Sequence, residues 1–159
     1  LKGMSFMIGV LFLIPFMNLS ALAHFDSWRL LFMGIVVLNF SVDTGAWFFG
    51  KNFGKKKLWP SVSPKKTVEG FVGGVITSVV LSGVFWAITF NHVSFQLLMS
   101  FLIIACCAQL GDLIQSKMKR QFNIKDSSNL IPGHGGMYDR VDSLLFVAPL
   151  FLFVIRNLR

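Results

Sequence analysis

The chain has 159 residues, of which 54% are hydrophobic and only 14% are charged, and its formal net charge is +8. A soluble domain of this size cannot bury so much apolar side chain, so the composition argues against an ordinary soluble fold and indicates membrane insertion. The basic residues flank apolar runs, which favours lipid head groups and anionic substrates over nucleic acid as partners.

Five apolar runs are the predicted membrane helices. About 20 helical residues cross the hydrocarbon core of a bilayer, and four runs have that length: 4–23, 29–50, 70–90 and 94–114. A fifth run, 143–158, is shorter and ends in basic residues. The fold class is therefore predicted as all-α, a polytopic bundle with about five spans that forms one integral-membrane domain over residues 1–159.

The distribution of lysine and arginine predicts the orientation. These residues crowd two connections, 51–68 and 115–142, whereas the connections at 24–27 and 91–93 hold almost no charge. Because Lys and Arg stay on the cytoplasmic side, both basic connections are expected to face the cytoplasm. The lysines at 55–57 are interpreted most simply as signals of this topology.

The run 70–90 has small residues at every fourth position: Gly70, Gly74, Ser78 and Ser82. Such a stripe allows two helices to approach closely. It predicts either internal helix packing or a contact between subunits.

Acidic residues near the cytoplasmic ends of the runs are candidate metal ligands. A carboxylate within a span costs about 2.5–3.5 kcal/mol at mid-bilayer, so it needs a polar partner or a water-filled cavity. Oxygen ligands without a His/Cys set favour a hard cation such as Mg²⁺. The expected metal residues are Asp43, Asp112, Asp139 and Asp142.

Two of these aspartates also have structural interpretations. Asp43 could form an ion pair with a lysine of the next connection, and Asp139 could cap a helix or pair with Arg140. Asp112 and Ser116 are four residues apart and share a helix face if the helix continues.

Two segments offer groups that bind phosphate. In "SVSPKKTVEG", residues 61–70, two lysines follow a proline and lie beside a serine and a threonine. In "GHGG", residues 133–136, glycines let backbone amides approach an anion, although the segment could also be only a flexible turn. Carboxylates, cations and glycines at one membrane face predict phosphoryl-type transfer to or from a lipid head group.

The segment "SKMKRQFNIKDSSNLIPGHGGMYDRVD", residues 116–142, resembles the signature of phosphatidate cytidylyltransferases, also called CDP-diacylglycerol synthases. The segment "DTGAWFFGKNFGKKKLWPSVSPKKTVEGFVGG", residues 43–74, resembles the second landmark of that family. The similarity covers residues 30–158. Members of the family usually carry several more spans upstream, so we expect this chain to be the C-terminal part of a longer enzyme.

The resemblance implies the reaction of CTP with phosphatidate to give CDP-diacylglycerol and pyrophosphate. It further implies Mg²⁺ as the cofactor and allows K⁺ as a companion ion. It also implies a homodimer in a bacterial inner membrane, with the site facing the cytoplasm. The implied catalytic positions are Asp112, Asp139, Lys125, Asp126, His134 and Arg140. The implied substrate-binding positions are Ser63, Lys65, Lys66, Thr67, Ser116, Lys119, Arg120, Gly135 and Gly136.

Three other functions are weighed against this one. A CTP-dependent lipid kinase and another lipid cytidylyltransferase share the chemistry and differ in the product or the lipid. An ion or phosphate transporter would need polar groups through the whole depth of the membrane, and the outer halves of the runs are nearly uniformly apolar.

Overall fold

The structure, a computed structural model, describes residues 13, 17–121 and 138–157. Within these residues it contains four long helices and one β-hairpin. In chain order they are α1 (Trp28–Phe53), β1 (Lys57–Trp59), β2 (Ser63–Thr67), α2 (Val68–Phe90), α3 (Phe95–Gln121) and α4 (Tyr138–Asn157). Residues 17–22 add a short helical segment before α1.

Three described helices are long and apolar enough to cross a membrane: Trp28–Phe53, Val68–Phe90 and Phe95–Met118. They correspond to the predicted runs 29–50, 70–90 and 94–114, each extended at one or both ends. In α4 the apolar part, Phe146–Asn157, is shorter than a span. Most of the first predicted run, 4–23, lies outside the described residues. The mostly helical fold is thus confirmed, with three helices suited to span a membrane, whereas the number of spans stays a prediction.

The small-residue stripe of α2 packs against the backbone of α1. A Cβ atom on Gly74 would lie 2.7 Å from the carbonyl oxygen of Val42, and one on Gly70 would lie 2.8 Å from that of Ala46. One turn further along α2, Ser78 Oγ donates a hydrogen bond to the Leu38 carbonyl at 3.1 Å. The stripe therefore serves internal helix packing, the first of its two predicted roles.

An aromatic cluster joins the helices in the apolar core. The ring of Trp86 on α2 lies 5.7 Å from that of Phe101 on α3 and 6.1 Å from that of Phe151 on α4, both edge to face. All three side chains are buried. Near the other end of α3, the space beside Gly111 is filled by Phe146 of α4. These contacts fix α3 and α4 side by side.

The connection 51–68, predicted as a loop, contains the antiparallel hairpin β1–β2. Thr67 pairs with Lys57 and Ser63 with Trp59, with an irregularity between the two pairs. Residues 57–59 and 63–67 are short, lysine-rich and interrupted by Pro64, so they lack the alternating apolar pattern that predicts a strand. The hairpin is a departure from the all-α prediction.

The hairpin is fastened to the start of α2. Thr67 is the N-cap residue, and its side-chain oxygen accepts a hydrogen bond from Gly70 N at 3.1 Å, which satisfies one of the free amides of the first turn. Glu69 accepts hydrogen bonds from the backbone amides of Lys55 and Lys56 at 3.1–3.2 Å. These hydrogen bonds therefore hold both ends of the segment 55–70 against the first turn of α2.

Candidate functional site

A cavity of about 380 Å³ lies where the end of α1, the hairpin, the start of α2 and the second half of α3 meet. Its wall combines apolar side chains with two carboxylates, three lysines and a carboxamide. The lining residues are Asp43, Ala46, Trp47, Gly50, Lys51, Leu58, Lys65, Lys66, Thr67, Gly70, Phe71, Gln109 and Asp112. An apolar wall with a few polar groups is typical of a ligand site, and here both charge signs are present.

Asp112 is the carboxylate of α3 in this cavity. One of its oxygens, Oδ2, forms an ion pair with the ammonium group of Lys66, which comes from β2. The other oxygen, Oδ1, lies 3.5 Å from the hydroxyl of Ser116, one turn later on the same helix. The predicted shared face of these two α3 residues is confirmed. The ion pair between Asp112 and Lys66 was not predicted.

α1 contributes one face to the cavity. Asp43, Trp47 and Lys51 are four residues apart in succession, so they project from the same side of the helix, and all three line the cavity. The ammonium nitrogen of Lys51 lies 5.0 Å from the centre of the Trp47 ring, within the range of a cation–π contact. Asp43 and Asp112, both predicted near the cytoplasmic ends of their runs, are thus brought to one cavity.

The hairpin places Lys65, Lys66 and Thr67 at the cavity wall. The hydroxyl oxygen of Thr67 already accepts the hydrogen bond that caps α2, and its side chain is buried. Thr67 therefore lines the cavity while it caps α2, and its predicted contact with substrate stays a prediction. Ser63 begins β2, opposite Trp59, and is not among the residues that line this cavity.

A second contact holds the hairpin against α3. The ammonium nitrogen of Lys117 lies 5.2 Å from the centre of the Trp59 ring. This contact involves β1, whereas the ion pair with Asp112 involves β2. The hairpin is consequently attached to α3 at two separate points.

Sequence reasoning missed eight lining residues: Ala46, Trp47, Gly50, Lys51, Leu58, Gly70, Phe71 and Gln109. Gln109 is buried, and its side-chain amide donates a hydrogen bond to the Phe71 carbonyl at 2.9 Å. Two signals could have found the polar members. Gln109 precedes Asp112 by three residues in an apolar run, and Lys51 follows Asp43 by eight, so each shares a helix face with a predicted site residue.

Several predicted site residues cannot be placed in the cavity. Lys125, Asp126, His134, Gly135 and Gly136 lie outside the described residues. Asp139, Arg140 and Asp142 belong to the first turns of α4, but their side chains, like that of Lys119, are also outside the description. Arg120 lies exposed near the end of α3. The predicted contribution of the segment 116–142 stays a prediction.

The oxygen ligands of the cavity suit a hard cation. Among the described residues no group of three or more His, Cys, Asp or Glu side chains could hold a metal ion. Magnesium, however, is usually bound through one or two carboxylates, with water and substrate phosphate completing its shell. The wall holds two carboxylates, Asp43 and Asp112, and Asp112 already has a cationic partner in Lys66. Their role as metal ligands stays a prediction.

Comparison with known proteins identifies the family. The family model described as "Cytidylyltransferase family" matches residues 2–158. The chain belongs to the cytidylyltransferase family. This membership confirms the resemblance drawn from the segments 43–74 and 116–142.

Curated proteins that are similar to this chain share one specific name within the cytidylyltransferase family. The chain is 46% identical over 126 residues to a protein of Bacillus subtilis (strain 168) named phosphatidate cytidylyltransferase, covering 79% of this chain and 46% of that protein. It is 51% identical over 109 residues to a protein of the same name from Staphylococcus saprophyticus, covering 68% of this chain and 42% of that protein. The chain thus spans less than half the length of these relatives.

Proposed function

We propose that this chain carries the catalytic site of a phosphatidate cytidylyltransferase, which makes CDP-diacylglycerol and pyrophosphate from CTP and phosphatidate for phospholipid synthesis. The observation that carries the proposal is the cavity that joins Asp43, Asp112, Lys65 and Lys66. It lies in a chain of the cytidylyltransferase family whose curated relatives have that name.

The residues of the cavity can perform the binding that this reaction needs. Both substrates are anions and repel each other until their charge is neutralised. Lys65 and Lys66 offer ammonium groups for phosphate oxygens, and Lys51 adds a third positive charge on the same wall. Arg140, from the predicted part of the site, could bind phosphate in a bidentate way that lysine cannot match.

The reaction needs no protein nucleophile. A phosphate oxygen of phosphatidate forms a bond to the α-phosphorus of CTP, and the bond from that phosphorus to the β-phosphate oxygen breaks, which releases pyrophosphate. The attacking oxygen is already ionised, so no catalytic base is assigned. Apolar lining residues such as Ala46, Leu58 and Phe71 suit the glycerol and acyl portion of the lipid.

Mg²⁺ is the proposed cofactor, with K⁺ as a companion ion. Asp43 and Asp112 are the described residues that would hold it, together with Asp139 and Asp142 from α4. When bound, a divalent ion neutralises phosphate charge and stabilises the charge that develops during transfer. In the structure Asp112 is instead paired with the ammonium group of Lys66.

We further propose five membrane spans, with the cavity open to the cytoplasm of a bacterial cell. Three described helices have the length and composition of spans, and α4 packs against them through buried Val147 and Phe151. Lys51, Lys65 and Lys66 line the cavity, and basic residues favour the cytoplasmic face. Formation of a homodimer, implied by the resemblance alone, stays a prediction.

The test is a label-transfer assay on the purified full-length protein with phosphatidate and CTP. Label in the α-phosphate of CTP should appear in the lipid phase, and this transfer should stop when Mg²⁺ is chelated. Label in the γ-phosphate should appear only in pyrophosphate. If the γ label entered the lipid instead, the protein would be a CTP-dependent lipid kinase and the proposed reaction would be wrong.

A further inference from the structure

Lys66 and Asp112 form an ion pair at the place where the proposed cofactor would bind. The pair joins β2 to α3 across 46 residues of sequence, and both side chains are 30% exposed. The partner on the other carboxylate oxygen, Ser116, is at 3.5 Å, the outer limit of a hydrogen bond. The dominant interaction of the Asp112 carboxylate is therefore with the Lys66 ammonium group.

An ammonium group and a divalent cation compete for the same carboxylate oxygen. Both are positive, and at contact distance in a partly desolvated cavity their repulsion is strong. A metal ion bound at Asp112 Oδ2 would therefore weaken the ion pair and favour the release of Lys66 from that atom. In this respect Lys66 acts as a competitor for the metal ligand and not only as a phosphate ligand.

The displaced lysine side chain has a new anion available when the nucleotide is present. Lys66 and Lys65 both line the cavity in which the phosphates of CTP are proposed to bind. Displacement of Lys66 need not detach the hairpin, because Trp59 on β1 keeps its separate contact with Lys117 of α3. Thr67, the next residue, is fixed as the cap of α2. The side chain can thus move while its backbone stays in place.

We propose that Lys66 is the counter-ion of Asp112 before substrate binds and transfers to a nucleotide phosphate when a divalent cation takes Asp112. This rests on the proposed function, since it assumes that the cavity binds a nucleotide with a metal ion. Its consequence is that binding of the metal ion and binding of the nucleotide are coupled. The metal ion alone binds weakly because it competes with Lys66, and the nucleotide strengthens metal binding by accepting the lysine.

The test measures metal binding without turnover. Mn²⁺ is titrated into the purified full-length protein in detergent and followed by electron paramagnetic resonance, with and without α,β-methylene CTP. This analogue cannot undergo cleavage between its α- and β-phosphates. For the wild type we expect the analogue to tighten Mn²⁺ binding by about tenfold, within the usual range of coupling between two sites.

Lys66→Gln should change this pattern in two ways. Mn²⁺ binding without nucleotide should become several-fold tighter, and the effect of the analogue should shrink to about twofold or less, because most of the coupling has been removed. Lys66→Met is measured in parallel, so that a folding defect in one variant does not decide the outcome. Lys66→Arg keeps the positive charge and should keep weak metal binding in the absence of nucleotide.

Two controls identify the atoms involved. Lys57→Gln removes a charge from the same hairpin and should keep the coupling, because Lys57 is exposed and is not among the residues that line the cavity. Asp112→Asn should abolish the coupled Mn²⁺ site.

Equal Mn²⁺ affinity of the wild type, Lys66→Gln and Lys66→Met without nucleotide would overturn the proposal. Absence of coupling in the wild type would overturn it too. A failure to form CDP-lipid would instead count against the proposed function, because this measurement requires no transfer.

Discussion

Asp112 is the residue on which the account of the site depends most. It lies near the end of an apolar helix, lines the cavity and is paired with a lysine from a distant segment. A charged residue near the end of a span is costly unless it is paired or reaches water, and the structure provides both conditions. That combination is more typical of a functional group than of a packing residue.

The first prediction concerns the proposed metal ligands. Asp112→Asn and Asp139→Asn should each lower the rate of CDP-lipid formation by about 10²–10³-fold, the usual effect of removing one group that stabilises developing charge. Asparagine keeps the shape but loses the negative charge that holds a divalent ion. The double variant should be scarcely slower than either single variant, because residues that act as a unit are not additive.

The measurement is CTP-dependent CDP-lipid formation across a Mg²⁺ titration. Asp26→Asn is the matched control, because Asp26 lies in the turn before α1, at the opposite end of that helix from Asp43, and is exposed. It should have the wild-type rate. A normal rate and a normal Mg²⁺ dependence for Asp139→Asn would show that this residue is a helix cap or a partner of Arg140.

At the scale of elements, the contact between α1 and α2 positions two walls of the cavity. Gly70 and Phe71 of α2 and Ala46 and Gly50 of α1 all line it. The two backbones can approach this closely because α2 has glycine where the α1 carbonyls lie. The distance between α1 and α2 therefore sets the distance between these two walls of the cavity.

The second prediction is that Gly74→Ala lowers stability while Gly83→Ala does not. A Cβ atom at residue 74 would lie 2.7 Å from the Val42 carbonyl, a backbone atom that cannot move alone, whereas one at residue 83 would meet only a methyl group of Leu98 at 3.0 Å. Overpacking typically costs about 1–3 kcal/mol. At residue 83 the better helix propensity of alanine should compensate for the smaller clash.

Thermal unfolding of both variants in detergent, followed by circular dichroism, checks this prediction. The midpoint should fall for Gly74→Ala and stay near the wild-type value for Gly83→Ala. Equal changes in the two variants would mean that the close contact between α1 and α2 is not what limits stability.

Much of the helical framework was predictable from sequence, because long apolar runs have few alternatives to a spanning helix. The small-residue stripe of α2 also predicted a close contact. The hairpin was not predictable, since strands as short as Lys57–Trp59 carry almost no periodic signal. Its existence depends on tertiary contacts, namely the hydrogen bonds of Glu69 and the contacts of Trp59 and Lys66 with α3.

The candidate site was predictable in its residue types and less so in its pairings. Asp43, Asp112, Lys65 and Lys66 were selected from charge and position, and they do line one cavity. The pairing of Lys66 with Asp112 depends on how far the hairpin reaches across α3, which no local pattern encodes. Gln109 escaped notice because a single carboxamide in an apolar run is usually a packing residue.

At the scale of the whole molecule, the described helices expose apolar side chains on their outer surfaces. On α2 the β-branched residues at every fourth position from 72 to 88 are more than one third exposed: Val72, Ile76, Val80, Val84 and Ile88. A surface of this kind suits lipid or further helices and not water. The cavity, by contrast, combines charges of both signs at one end of the bundle.

We propose that the full-length protein makes CDP-diacylglycerol at this cavity from CTP that arrives from the cytoplasm. The most direct test uses inverted and right-side-out membrane vesicles that contain the full-length protein, from cells depleted of their own enzyme. CTP labelled in the α-phosphate is added outside. The account predicts labelled CDP-diacylglycerol in inverted vesicles, none in intact right-side-out vesicles, and almost none in inverted vesicles with Asp112→Asn. Equal labelling by Asp112→Asn and the wild type, or labelling only in right-side-out vesicles, would contradict it.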